Sequence, residues 1–236
     1  MKKLTTVICI VCLIVFAAID LSAQDTRFGL KGGATFYKGT IEVGLGGFSI
    51  ETTSDSHLGF AGGIFAEFPL NDLISIQPEI LYMQKNSKES DDFFDIGFDD
   101  FDDFDDERAT TNLSYIDVPL LLRLNIPIDG NISPYVAAGP FVGYLLDAKA
   151  KVDGDTEDLK EFMKDINYGL IFAAGLNFGK VGVEFRYDLG MANIFDEDAL
   201  LNGDFDDDDF DDDFGFGGID VSAKLSGFSV MLTIGF

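Results

Sequence analysis

The side chains most able to do chemistry are two runs of aspartate. Asp99, Asp100, Asp102, Asp103, Asp105 and Asp106 form one run, spaced by Phe101 and Phe104. Asp206, Asp207, Asp208, Asp209, Asp211, Asp212 and Asp213 form the other, spaced by Phe210 and preceded by Asp204-Phe205. Neighbouring carboxylates repel one another and offer hard oxygen ligands, so the chemistry they suggest is weak, multivalent Ca2+ binding. A single tight site is not expected. Counted from Asp204, Asp209 stands where an EF-hand loop needs glycine for its sharp turn. Two other readings stay open. One is a flexible, solvated, low-complexity loop; the other is a docking surface anchored by the interleaved phenylalanines.

Nucleophilic chemistry finds little support. His57 is the single histidine, with Ser54, Asp55 and Ser56 beside it. Neighbours along a loop do not make a Ser/His/acid triad, and no G-x-S-x-G context is present. Gly29, Gly32 and Gly33 are followed by no βαβ unit, so they are not a dinucleotide fingerprint. They read as strand glycines that admit bulky neighbours. No catalytic residue and no cofactor is expected, apart from weakly held Ca2+.

The elements that must position these groups begin with a leader. Lys2 and Lys3 precede an uncharged apolar run from Val7 to Ile19, and Leu21-Ser22-Ala23 offers a small residue before Gln24. That is a secretory signal peptide over 1–23, too short to span a membrane as a helix. Both cysteines, Cys9 and Cys12, fall inside it, so the mature chain has no thiol chemistry and no disulfide. The mature domain is expected over 24–236, with acidic loops at 91–107 and 196–216.

The chain of 236 residues carries 42 Asp+Glu against 16 Lys+Arg, a net charge of −26. Half of the acids sit in 91–107 and 196–213; elsewhere 21 acids face 16 bases. The acidity is local. It excludes a nucleic-acid binder, which needs clustered Lys/Arg for phosphate. A hydrophobic content of 47% excludes a wholly disordered chain.

Apolar residues alternate along the mature chain, which is a strand signal. Phe228, Val230, Leu232, Ile234 and Phe236 fall on one face, opposite Ser229, Met231 and Thr233. In 113–126, Ile116, Val118, Leu120, Leu122, Leu124 and Ile126 oppose Tyr115, Asp117, Arg123 and Asn125. In 181–190, Val181, Val183, Phe185, Tyr187 and Leu189 oppose Glu184, Arg186 and Asp188. In 73–85, Ile74, Ile76, Ile80 and Tyr82 oppose Ser75, Gln77, Glu79 and Lys85. Weaker versions at 27–37, 57–68, 132–146 and 166–178 bring the strands to eight.

Connection lengths separate the architectures. Pro69–Asp72, Pro127–Asn131 and Gly179-Lys180 are tight turns. The connections 38–56, 87–112, 147–165 and 193–225 are long. A strict alternation of short and long suits an outer-membrane barrel with periplasmic turns and external loops. The expected fold is therefore an all-β, eight-stranded antiparallel transmembrane up-and-down β-barrel with long external loops, in the outer membrane of a Gram-negative cell.

The faces agree. One is apolar; the other offers Lys31, Lys85, Arg123 and Arg186 against Glu67, Glu79, Asp117, Glu184 and Asp188. An eight-stranded barrel is just wide enough for side chains to fill, so these ions are expected to pair inside and leave no pore. Phe28, Phe68, Phe178 and Phe236 are expected at the periplasmic rim, and Tyr82, Tyr144, Tyr168 and Tyr187 toward the outer rim, as interfacial girdles. Ordinary core packing is the alternative for these aromatics.

The motifs Phe28-Gly-Leu-Lys-Gly-Gly33, Gln77-Pro-Glu-Ile-Leu-Tyr82, Tyr115-Ile-Asp-Val-Pro-Leu-Leu-Leu122 and Pro134-Tyr-Val-Ala-Ala-Gly-Pro140 stand in this order, before a terminal Phe236. In this arrangement the chain resembles the PorT-like, or "porin family", outer-membrane β-barrel proteins. The resemblance implies the lipid bilayer and the barrel-insertion machinery as partners, the latter reading the terminal Phe. It brings no catalytic residues.

Two local expectations follow. Pro78, Pro119, Pro134 and Pro140 each remove a ladder donor, so bulges or local widening are expected there. A short helix is expected in the third external loop, capped by Asp155 or Thr156, with Leu159, Phe162, Met163 and Ile166 as its apolar stripe. The function expected is non-enzymatic: envelope structure, or contact with an envelope or extracellular protein through the acidic loops. A small-solute channel and a lipid-modifying enzyme using His57 are the other classes.

Overall fold

The computed structural model describes residues 26–45, 48–88, 110–128, 130–152, 155–195 and 219–236. The signal peptide and both aspartate runs lie outside them.

Ten strands form one antiparallel sheet. They are β1 (Arg27–Leu45), β2 (Phe48–Thr53), β3 (Asp55–Pro69), β4 (Ile74–Lys88), β5 (Thr110–Asn125), β6 (Ile132–Val152), β7 (Asp155–Asp158), β8 (Ile166–Phe178), β9 (Val181–Gly190) and β10 (Ile219–Gly235). Neighbours in the wall are neighbours in sequence, and β10 pairs with β1 from Gly29↔Gly235 to Leu45↔Ile219. The sheet is thereby closed into a barrel of eight staves. β2 continues β3 against β1, and β7 turns back on the end of β6. Closure pairs the eight staves on both sides, so among them no row of backbone donors faces lipid, while β2 and β7 each pair on one side only.

The turns carry their own chemistry. Asn71 Oδ1 accepts from the backbone of Leu73 and Ile74 at 2.9 Å each. Gly179 takes φ +64, where a side chain would be strained. The start of β1 and the end of β10 share the end that holds these turns: the Phe236 amide donates to the Phe28 carbonyl at 2.9 Å. In outer-membrane barrels that end is periplasmic.

Burial follows the alternation. Phe228, Leu232 and Leu122 are 61%, 61% and 58% exposed, whereas Ser229, Met231 and Thr233 are buried. All nine ionic side chains expected inside are buried there.

Four details differ from expectation. The external connections are shorter, because paired strands run into them. β1 continues to Leu45 and returns through β2, and the β-branched residues Thr40, Ile41, Thr52 and Thr53 suit that ladder. In the third loop, Asp155–Asp158 is a strand paired with β6, so neither Asp155 nor Thr156 caps a helix. Only a 3-10 turn at Lys160–Phe162 remains, with the Lys160 amide held by Asp158 Oδ1, and Ile166 opens β8. The prolines leave the register unshifted, and Pro134 and Pro140 stand in an unbroken ladder with β8. Across Pro78 the pairing passes from Phe65↔Glu79 to Phe68↔Ile76 at constant offset, while the register shifts lie at Ser56/Ala61 and Ser114/Tyr115. The ladder absorbs a missing donor by skipping a bond, which needs no extra residue. Finally, Phe68 is buried, unlike the exposed Phe28, Phe178 and Phe236.

Candidate functional site

The interior is built from inward positions of all eight staves. At its centre Lys31 of β1 donates to Glu79 of β4 at 2.5 Å and to both oxygens of Glu184 of β9 at 2.8 and 2.9 Å. Arg186 of β9 closes the square, at 2.6 Å from Glu79 and 2.8 Å from Glu184. Two cations thus face two anions. Gln77 donates to Glu79 at 2.6 Å and the Tyr135 hydroxyl to Glu184 at 2.7 Å. Burying charge is costly unless geometry and added hydrogen bonds offset the lost hydration, and here both are present.

Glycines make the long reaches possible. Tyr135, Gly175 and Glu184 share one row across β6, β8 and β9. A β-carbon on Gly175 would lie 2.5 Å from the Tyr135 hydroxyl. Tyr37, Gly227 and Asp188 repeat the device across β1, β10 and β9, with the Tyr37 hydroxyl donating to Asp188. Phe65 likewise lies over Gly29, as the strand-glycine reading expects.

Toward the external end, Lys85 pairs with Asp117 at 2.7 Å in poor hydrogen-bond alignment. Its ammonium is boxed by the rings of Tyr37, Tyr115 and Phe141 at 5.4, 4.8 and 4.8 Å, a cation–π cage. Beyond it, Leu113, Leu145, Ala148, Met163, Ile194 and Leu225 form an apolar cluster. Met163 bridges to Phe195, and the Lys164 amide donates to Ile194, so the segments after β7 and β9 join the wall there. On that exposed hairpin a hydrogen bond to the Asp147 carboxylate raises the Lys149 pKa above its ordinary value.

Toward the periplasm, Arg123 lies 3.5 Å above the Tyr135 ring, donates to Gln77 and Asn125, and meets Glu67 at 3.4 Å. An open vestibule of about 520 Å³ follows, lined among others by Arg27, Glu67, Asp72 and Asn177.

Interior and wall settle what kind of chain this is. The sequence profile of a family described as "Outer membrane protein beta-barrel domain" matches residues 22–196. The chain belongs to this outer-membrane β-barrel family. The chain is also similar to solved structures. Ail, the attachment invasion locus protein of Yersinia pestis, is 13% identical, with 90% of this chain and 100% of that chain covered and a TM-score of 0.39. OprG from Pseudomonas aeruginosa is 9% identical, covering 90% and 97%, at 0.48. Neisserial surface protein A is 11% identical, covering 90% and 100%, at 0.42. No curated protein matches the chain. An outer-membrane location follows from the family.

The candidate Ca2+ ligands, Asp99 to Asp106 and Asp206 to Asp213, lie outside the described residues. Among the described residues no group of three His, Cys, Asp or Glu side chains could hold a metal. His57 is exposed on β3, and Ser54 Oγ is engaged with the Gly39 backbone. Sequence reasoning placed the ions inside but missed Tyr37, Tyr135 and their glycines. Their signal is the pairing register, which one strand read alone does not carry.

Proposed function

We propose that this protein is a non-enzymatic outer-membrane barrel that serves envelope structure or surface contact, with its acidic loops as the contacting parts. One observation carries the reading: the lumen holds paired ions and, externally, an apolar cluster, where a solute channel needs a continuous wet path. Exposed His57, which no serine among the described residues hydrogen-bonds, speaks against the lipid-modifying reading. The ordered motifs from Phe28 to Phe236 support the finer PorT-like placement, Lys2, Lys3 and the apolar run from Val7 to Ile19 support a cleaved leader over 1–23, and Phe236 supports delivery by the barrel-insertion machinery. The aspartate runs would hold Ca2+ weakly and present phenylalanines to an envelope or extracellular protein.

Loop deletion tests this. A chain lacking 91–107 and 196–216 should still reach the outer membrane and run as a heat-modifiable band. Cells carrying it should show the same envelope or adhesion defect as cells lacking the whole protein. Wild-type behaviour of the loop-deleted cells beside a defect in the full deletion would overturn the reading.

A further inference from the structure

Between the central square and the external apolar cluster lies a layer of polar groups whose bonding is incomplete. Tyr115 Oη, both oxygens of Asp117, both amide atoms of Asn167, Asp188 Oδ1 and Ser229 Oγ are buried and have no hydrogen-bond partner among the described residues. None of these five residues is more than 2% exposed. A buried polar atom without a partner costs its full desolvation, which a ligand in the layer can recover. Asp117, Gly143 and Asn167 share one row across β5, β6 and β8. A β-carbon on Gly143 would collide with Asp117 Oδ1, so the carboxylate leans across the glycine toward Asn167. Asp188 is tied to the same layer through Tyr37, which donates to it and whose ring faces Lys85, the ion partner of Asp117.

The layer is also one positive charge short. Of the nine buried ions, Lys31 and Arg186 balance Glu79 and Glu184, and Arg123 balances Glu67. Lys85 is then left with both Asp117 and Asp188. A net buried anion is costly in a low-dielectric interior. Water alone would complete the hydrogen bonds and leave the charge. A proton on Asp117 or Asp188 would remove the charge, but it would add a donor beside the donors that already face them, Lys85 and Tyr37. A divalent ion would overshoot the charge, and two carboxylates fall short of its usual cage. A monovalent metal ion supplies one charge and takes hard oxygen ligands, the kind left over here.

We propose that this layer is a binding site for one monovalent metal cation of the Na+ class, held by Asp188 Oδ1, Asp117 Oδ1 and Asn167 Oδ1, with water completing its shell. The ion is structural. The square closes the barrel on its periplasmic side, and the cluster of Leu113, Leu145, Met163 and Leu225 closes it on the external side. It is therefore enclosed as the barrel folds and carries no current. This inference concerns the interior and is independent of the role of the acidic loops.

The test uses the full mature chain, folded from urea into detergent micelles in sodium chloride or in N-methylglucamine chloride at equal ionic strength and pH. The organic cation is too large to be enclosed. At a fixed urea concentration the ratio of folded to unfolded protein should be about tenfold higher in sodium, because the ion binds only the folded chain. Asp188→Asn removes the excess charge, so its ratio should be the same in both salts. Asn167→Ala should reduce the sodium effect to about threefold or less. The Asn167 side chain bonds nothing among the described residues, so this variant keeps the fold even if the Asp188 variant does not. Equal ratios for the wild-type chain in the two salts would overturn the proposal and leave a buried proton as the counter-charge. A sodium effect undiminished in either folded variant would place the ion elsewhere, on the acidic loops, and overturn it equally.

Discussion

The Tyr135 hydroxyl donates to Glu184 Oε2 at 2.7 Å from two strands away. Gly175 on the strand between leaves the path open. A methyl at Gly175 would force the ring away and leave a buried carboxylate one bond short. Gly175→Ala should therefore destabilise the barrel by about 1–3 kcal/mol. Combined with Tyr135→Ala, the steric part should vanish, so the two changes should be non-additive. Urea unfolding in detergent, followed by tyrosine fluorescence, measures both.

The central square gives a sharper prediction. Arg186→Met leaves Glu79 and Glu184 sharing Lys31 alone, with one buried anion uncompensated. A loss of about 3–5 kcal/mol is expected. Adding Glu79→Met removes the excess anion and should recover most of that loss. A double variant no more stable than the single one would argue against the square as an electrostatic unit.

Charges on the outer wall should be penalised by depth. Val230→Arg and Leu122→Arg each place a cation in hydrocarbon, at roughly 2–4 kcal/mol near the midplane. Thr233→Arg points inward and meets a limit of space instead. Yield of heat-modifiable protein in outer membranes reads the difference. Normal assembly of the first two would remove the basis for assigning the faces.

Much of this was legible in the sequence, for a physical reason. A strand between lipid and a packed lumen shows its two faces at alternate positions, so Glu184, Arg186 and Asp188 announced the interior beside Val183, Phe185 and Tyr187. Which ion meets which is a matter of register between strands, and the square of Lys31, Glu79, Glu184 and Arg186 could not be read from any one of them. The expected helix over 155–166 failed because Leu159, Phe162 and Met163 share a helical spacing that an irregular segment can also satisfy. There, β7 pairs with β6 and the following residues seat Met163 against Leu145 and Ile194.

For the aspartate runs the prediction concerns cations. Millimolar Ca2+, on the order expected of external modules, should slow proteolysis within 91–107 and 204–216 and leave barrel stability nearly unchanged. High monovalent salt should weaken the effect by screening. Equal cleavage rates with and without Ca2+ would leave these runs as plain solvated loops.

Orientation is tested by insertion. Epitope tags near Gly97 and Gly203 should be reached by antibody on intact cells, and a tag near Asp129 should not. Labelling at Asp129 with shielding of the other two would mean an inverted barrel.

The claim that the lumen is packed is met most directly by current recording in planar bilayers. The folded wild-type protein should give no stable unitary steps above the bilayer leak, because Lys31, Arg186, Glu79 and Glu184 close the centre. Persistent, reproducible openings of the wild-type protein would contradict the packed interior and return the chain to the class of solute channels.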